Sequence, residues 1–323
     1  MSAQAKEIVN NIKQGVLAPI YFLMGEEAFY IDAISNYIEK TVLDESEKGF
    51  NQMVLYGRDV TIDDIVSNAK RYPMMAQRQV VIVKEAQDLS RTIENLVTYV
   101  ENPQPTTVLV VCYKYKKLDA RKKLSKAVKK AGVLFESKKL YENKIPDWIQ
   151  SSLATKGYTI TPKASLMLTE FLGTDLGKIN NELQKLQLIV KPGAQITPEI
   201  VEQNIGISKD FNNFELQKAL GHLDHKKAYQ IVHYFAQNSK QHPFVLTISI
   251  LYMYFSKLMK LHTVRDQNPG TVAKALGVNP YFVNEYISVS RNFPMKRISG
   301  VLETLRKYDT KSKGVGANLS PRD

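Results

Sequence analysis

Five short apolar runs, separated by segments of helical periodicity, decide what the first 140 residues can become. They occupy residues 18–25, 51–56, 79–84, 107–113 and 133–135, and neither Ile20-Tyr21-Phe22-Leu23-Met24 nor Val80-Val81-Ile82-Val83 is interrupted by a charge. A strand that is apolar at every position has no solvent face, so both of its sides must be covered. Helical patterns fill the gaps at residues 6–14, 61–71, 90–101 and 119–132, and in a stretch carrying Phe29, Ile31, Ile34, Tyr37, Ile38 and Val42. Such alternation specifies a mostly parallel α/β sheet with helices on its faces. After about Tyr141 no strand pattern of comparable strength appears. Helical patterns then follow one another from Ile145 to Tyr308, among them Pro162–Leu172, Leu176–Val190 and a long apolar one over His242–Leu261. Residues 206–210 separate a small helical unit from a larger one. The expected organisation is therefore an α/β domain over 1–140, a small helical domain over 141–208 and a larger helical domain over 209–323.

A chain of 323 residues exceeds the usual single-core size, which fits several domains. Its N-terminus lacks a basic region followed by an apolar one, and no window holds eighteen uncharged apolar residues. Cys112 is the one cysteine, so no disulfide can close within the chain and no cysteine-based metal cluster can form. A soluble, cytoplasmic protein is expected. The net charge of +12 is concentrated: residues 113–139 hold eleven Lys/Arg against Asp119 and Glu136, a local excess of +9. Here Asp119 reads as an N-cap, Leu124, Ala127, Val128 and Ala131 as a buried stripe, and Gly132 as a stop. The lysines take the other face, which is either simply solvated or meets acidic protein or phosphate.

The strand and glycine turn at Met24-Gly25-Glu26-Glu27, followed by a helix, is where nucleotide-binding folds place a phosphate loop. This turn has no lysine and no Ser/Thr in position, and two carboxylates at a helix N-terminus suit the helix dipole but repel phosphate. A second candidate, Gly173-Thr174-Asp175-Leu176-Gly177-Lys178-Ile179, is one residue short between its glycines and ends in Ile where a metal-binding hydroxyl is needed. The strand at 79–83 ends in Lys84, a cation where an NTPase would hold a magnesium aspartate. His222, His225 and His233 have no Cys and no evident carboxylate partner, so they are read as a solvated helix face. A helix-turn-helix reading of Val272–Phe282 is short and generic. No catalytic residue, cofactor or metal is expected.

What remains is Tyr72-Pro73-Met74-Met75-Ala76-Gln77, directly before the strand. Pro73 disfavours helix at Tyr72, so the two methionines lie on a helix-to-strand connection where adjacent side chains cannot both face one core. Methionine is suited to an adaptable apolar contact, because its unbranched thioether repacks against many surfaces. Taken alone, these residues read first as a cap on the core beneath the strand, with a partner contact as the alternative.

Taken together, Tyr21-Phe22-Leu23-Met24-Gly25-Glu26-Glu27, Pro73–Val83, Lys117-Leu118-Asp119, and Leu172-Gly173-Thr174-Asp175-Leu176 with Asn181-Glu182-Leu183-Gln184-Lys185-Leu186 resemble the delta subunit of the bacterial DNA polymerase III clamp loader. The likeness spans nearly the whole chain, more loosely after residue 210. It implies an AAA+-like α/β domain that no longer hydrolyses ATP, a small helical lid and a helical collar that joins a five-subunit ring. The implied role is that of a non-catalytic, accessory subunit of the polymerase holoenzyme that binds and opens the sliding clamp for loading onto primed DNA during replication. Implied partners are the clamp and, through the collar, the gamma/tau and delta prime subunits. The family's apolar wedge maps onto Met74 and Met75, with Tyr72, Pro73 and Gln77 alongside, where Leu-Phe is the commoner choice. The polar residues 318–323 stand where the family usually continues with a final amphipathic helix. Rival readings are a degenerate or active P-loop ATPase and a stand-alone DNA-binding protein using the basic surface.

Overall fold

The computed structural model describes residues 3–316; the departure at 318–323 lies outside them. The chain divides after Leu140 into two compact units. In the first, strands β1 (Ile20–Gly25), β2 (Gln52–Tyr56), β3 (Gln79–Lys84), β4 (Thr107–Lys114) and β5 (Val133–Ser137) form one sheet in the order β2-β3-β4-β1-β5. Every pairing is parallel, with Phe22 beside Val111 and Leu134, and Val81 beside Leu109. Helices α1 (Ala3–Lys13), α2 (Ala28–Thr41), α3 (Glu45–Asn51), α4 (Ile62–Ala69), α5 (Val97–Val100) and α6 (Lys123–Ala131) connect and cover it.

The three central strands are buried almost throughout, as their continuous apolar runs require. Alternate residues serve opposite faces. Phe22, Met24, Val81, Val83, Leu109 and Val111 join Ile65 of α4 and Leu124 and Val128 of α6 in one core. On the other face, α2 packs on β1, β3 and β4 with Ile31, Ile34 and Ile38 fully buried. Each such side chain contributes about 1.5–3 kcal/mol through removal from water.

The second unit is helical: α7 (Ile145–Ala154), α8 (Pro162–Leu172), α9 (Leu176–Ile189), α10 (Pro198–Ile205), α11 (Asn213–Gly221), α12 (His225–Gln237), α13 (Phe244–Leu261), α14 (Pro269–Leu276), α15 (Val283–Ser290) and α16 (Met295–Ser312). Pro162, Pro198 and Pro269 sit in first turns, where the missing N–H costs nothing. By length and composition α13 could cross a membrane. Here Ile248, Leu251, Tyr254, Phe255, Leu258 and Leu261 of α13 are buried against neighbouring helices, α16 above all. The segment 272–282 spans α14 and the turn after it, with Val272, Ala273, Leu276 and Phe282 buried in packing.

Several local expectations are corrected. The basic helix starts at Lys123, not after Asp119, because the Asp119 carboxylate is taken by the Arg121 N–H at 3.0 Å and guanidinium at 2.9 Å. In place of one helix over 90–101, tight 3-10 turns at Ala86–Leu89 and Ile93–Leu96 lead into the single turn α5. The helix α3 has no strong apolar stripe to announce it; it is favoured at its start by the Glu47 carboxylate accepting from the Asp44 N–H at 3.2 Å. Two short strands, β6 (Thr159–Ile160) and β7 (Gln195–Ile196), pair in parallel within the helical unit. Two residues each are too few to register as a period.

Gly25 closes β1 at φ +119, and a Cβ there would collide with the Ser137 backbone of β5. Gly25→Ala is expected to lower unfolding stability by more than about 1 kcal/mol in urea denaturation.

Candidate functional site

In open parallel sheets, ligands gather at the carboxyl ends of the strands. At that end of β1 three backbone donors of the turn and helix start already have acceptors within the chain. The Glu26 N–H donates to the Ser137 carbonyl (3.1 Å), the Glu27 N–H to Ser137 Oγ (3.1 Å), and the Phe29 N–H to the Glu27 carboxylate (3.2 Å), which caps α2. Beside them the Lys114 ammonium lies 2.9 Å from Asp32 on α2 and 2.7 Å from Glu85 after β3. Burial opposes that charge, but hydrogen bonds and the two negative charges outweigh it, holding the Lys114 pKa above the ordinary lysine value. The hydrogen bond from Lys114 in turn holds the Glu85 carboxyl below the usual range. Lys84, the cation at the end of β3, is paired with Glu39 at 2.9 Å. An internal cation with its own carboxylates thus fills the crevice. Cys112 is buried in β4, which pushes its thiol up to about 11 and leaves it unreactive.

Lys114→Met would strand Asp32 and Glu85, both partly open to water, so a loss of about 1–2 kcal/mol is expected at neutral pH. Because the pairing depresses the Glu85 pKa, its stabilisation exists above the unfolded-state carboxylate pKa and is lost as pH falls through the folded one. The difference between wild type and variant in urea unfolding should therefore shrink below roughly pH 4.

At the opposite end of the sheet, the methionine stretch forms an irregular loop between α4 and β3. It is held at three places. The Ala69 carbonyl at the end of α4 accepts from Thr107 Oγ1 (2.8 Å) and the Tyr99 hydroxyl (3.2 Å). The Gln79 side-chain amide donates to the Arg71 carbonyl (2.5 Å) and Thr107 Oγ1 (2.7 Å). At the loop tip, Asn51 receives the Met74 N–H at 2.6 Å and donates to the Met74 carbonyl at 2.9 Å. Asn51 is only 4% exposed, so this two-way pairing is shielded and satisfies groups that would otherwise be orphaned.

Between these anchors the chain is pushed outward. Met75 has φ +52 and its side chain is fully exposed; Tyr72 and Met74 are exposed at 77% and 55%. Gln77 is exposed and Pro73 half-buried, so all five sequence-selected residues share this one loop. A left-handed methionine costs roughly 1 kcal/mol or more and persists only where its surroundings over-determine it. Asn51, which supplies that determination, was not among the residues singled out from sequence. Nothing local marks it: it lies 23 residues from Met74 and ends a helix with little apolar patterning. Phe50, its chain neighbour, is 76% exposed.

The helical unit holds a cavity of about 880 Å³ whose walls include Glu170, Phe214, Tyr254, Lys257, Phe282 and Glu285. Burial raises the Glu170 pKa, and its carboxylate accepts from the Asn213 N–H at 2.7 Å, which ties α8 to the start of α11. Among the described residues no cluster of three or more His, Cys, Asp or Glu could hold a metal ion.

Comparison with known proteins agrees along the chain. The family model for the DNA polymerase III delta subunit matches residues 21–138, and that for the C-terminal domain of the same subunit matches residues 210–318. DNA polymerase III subunit delta of Bacillus subtilis (strain 168) is 26% identical over 318 residues, covering 95% of this chain and 91% of the relative. The solved structure of the Bacillus subtilis DNA clamp loader delta protein superposes with a TM-score of 0.55 at 25% identity, covering 98% of this chain and 96% of that one. With its parallel α/β domain, its helical C-terminal region and these matches, the chain belongs to the delta subunit family of DNA polymerase III, the clamp-loader delta proteins.

Proposed function

We propose that this chain binds a sliding clamp through Met74 and Met75, with Tyr72, Pro73 and Gln77 alongside, and favours the opened clamp so that primed DNA can enter. The observation that carries this reading is the anchored loop: two adjacent, exposed methionines, one in a left-handed conformation, presented by the buried Asn51. A soluble domain gains nothing in its own stability from an apolar side chain held fully in water. The gain comes when a partner covers it. Burying two methionines is worth roughly 1.5–3 kcal/mol each before the costs of association, and a loop held in place beforehand loses less entropy on docking.

The chain's part in loading is mechanical and non-catalytic in this reading, since Lys114, Asp32 and Glu85 occupy the crevice where an ATPase would hold its nucleotide. Hydrolysis then falls to other loader subunits, gamma/tau, with delta prime completing the ring in the cytoplasm. Residues 141–208 serve as the lid and 209–323 as the collar. Exposed Phe244, Val245, Leu246, Tyr252 and Met253 on α13 support a role for the latter in joining the other loader proteins.

Binding of the organism's own clamp to the immobilised full chain tests the proposal. Met74→Ala with Met75→Ala is expected to weaken binding about 100-fold or more, as roughly 3 kcal/mol or more of burial is lost, while thermal unfolding barely moves. Wild-type affinity in the double variant would sink the site assignment. Asn51→Ala leaves both methionines in place but frees the loop; a roughly 3- to 10-fold weakening is expected, because ordering must then be supplied on binding.

A further inference from the structure

At the carboxyl end of β4 a second side chain is held out into water. Tyr115 is 67% exposed and sits at φ +59, a conformation that an aromatic residue adopts only when its neighbours enforce it. Gly25 enforces it from both sides: its carbonyl accepts the Tyr115 N–H at 2.8 Å, and its N–H donates to the Lys116 carbonyl at 3.0 Å. Lys114, one residue earlier, is pinned between Asp32 and Glu85. The ring has nowhere to go but outward.

The chain then runs through Lys116, Lys117, Arg121 and Lys122 into α6. That helix has no acidic residue, has Lys122 at its N-cap position with no side-chain cap hydrogen bond, and exposes Lys123, Lys126, Lys129 and Lys130. Lys117, Arg121 and Lys122 have carboxylate partners in Glu136, Asp119 and Glu94; the four exposed lysines of α6 have none among the described residues. The placement is unfavourable for the helix. Lys122 and Lys123 stand at its positive end, and Lys126 lies three or four residues from Lys122, Lys123, Lys129 and Lys130, so like charges repel along one face. Neither the exposed ring nor Lys123 and Lys126 stabilises the fold, whereas Lys129 and Lys130 suit the last turn.

We propose that Tyr115 with Lys123 and Lys126 forms a binding surface for single-stranded nucleic acid, phosphates lying on the lysines and one unpaired base stacking on the ring. Phosphates relieve the repulsion among the lysines and complement the cations that the helix dipole opposes. The aromatic ring selects a single strand, since only an unstacked base offers its face. An acidic protein would match the lysines equally well but gives no reason for a tyrosine held in a strained backbone. The surface lies at the other end of the sheet from the methionine loop, and the proposal does not depend on that loop's role.

Fluorescence anisotropy of the full chain with labelled oligo(dT), repeated across salt concentrations, tests it. Tyr115→Gly places the residue best suited to φ +59, so the variant should unfold at the same or a higher temperature while affinity falls roughly 5- to 150-fold. Lys123→Gln with Lys126→Gln should leave folding intact and reduce the slope of log affinity against log salt by about 1.4, the counterions of two phosphate contacts. Wild-type affinity in Tyr115→Gly, an unchanged slope in the lysine variant, or polyglutamate bound as tightly as oligo(dT) would each overturn the proposal.

Discussion

A parallel sheet whose central strands are apolar along their whole interior, with polar residues only at their ends, can present nothing useful on its faces. β1, β3 and β4 are covered on both sides, and that coverage is the main source of the first unit's stability. Polar and adaptable groups are therefore displaced to the two ends of the strands. The amino end carries the methionine loop before β3 and Asn51 before β2; the carboxyl end carries the Lys114 ion triad and Tyr115. The six residues of β3 set these ends about 20 Å apart. One rigid layer thus separates two surfaces that can evolve and act independently.

Both ends use the same device. Among the described residues, the non-glycine positions with positive φ in the first unit are Met75, Glu85 and Tyr115. Each adjoins an anchor: Asn51 on Met74, the Lys114 ammonium on Glu85, and the Gly25 backbone on Tyr115. Strain of this kind lowers stability and is tolerated because the sheet beneath is rigid and well packed. In Glu85 it sets a carboxylate against a buried cation and so closes the crevice. In Met75 and Tyr115 it turns a large side chain away from the protein. The first outcome leaves charges paired; the other two leave large side chains in water.

The ion triad also bears on what the carboxyl end of the sheet can hold. A nucleotide site needs free N–H groups at a helix N-terminus and room for phosphates and a metal. Here the Glu26, Glu27 and Phe29 N–H groups are spent on Ser137 and Glu27, and the Lys114 ammonium lies between Asp32 and Glu85. The phosphate-loop residues missing from the sequence and the Lys114 ion pairs in the fold are separate observations.

The strand positions, the change to helices after Tyr141, the lack of a phosphate loop and the placing of Tyr72–Gln77 between a helix and a strand were all determined by the sequence itself. Each rests on local periodicity or on a proline, and local sterics act whatever the rest of the chain does. Asp119 shows the limit of that logic: a residue type that favours caps was drawn instead to Arg121, two positions on, and the helix began four residues later. The exposure of both methionines, the hold of Asn51 on Met74, and the meeting of Asp32, Glu85 and Lys114 were decided only by tertiary structure. Those pairs are 23 to 82 residues apart, and what brings them within 3 Å is the strand order β2-β3-β4-β1-β5 and its register, which no single segment encodes.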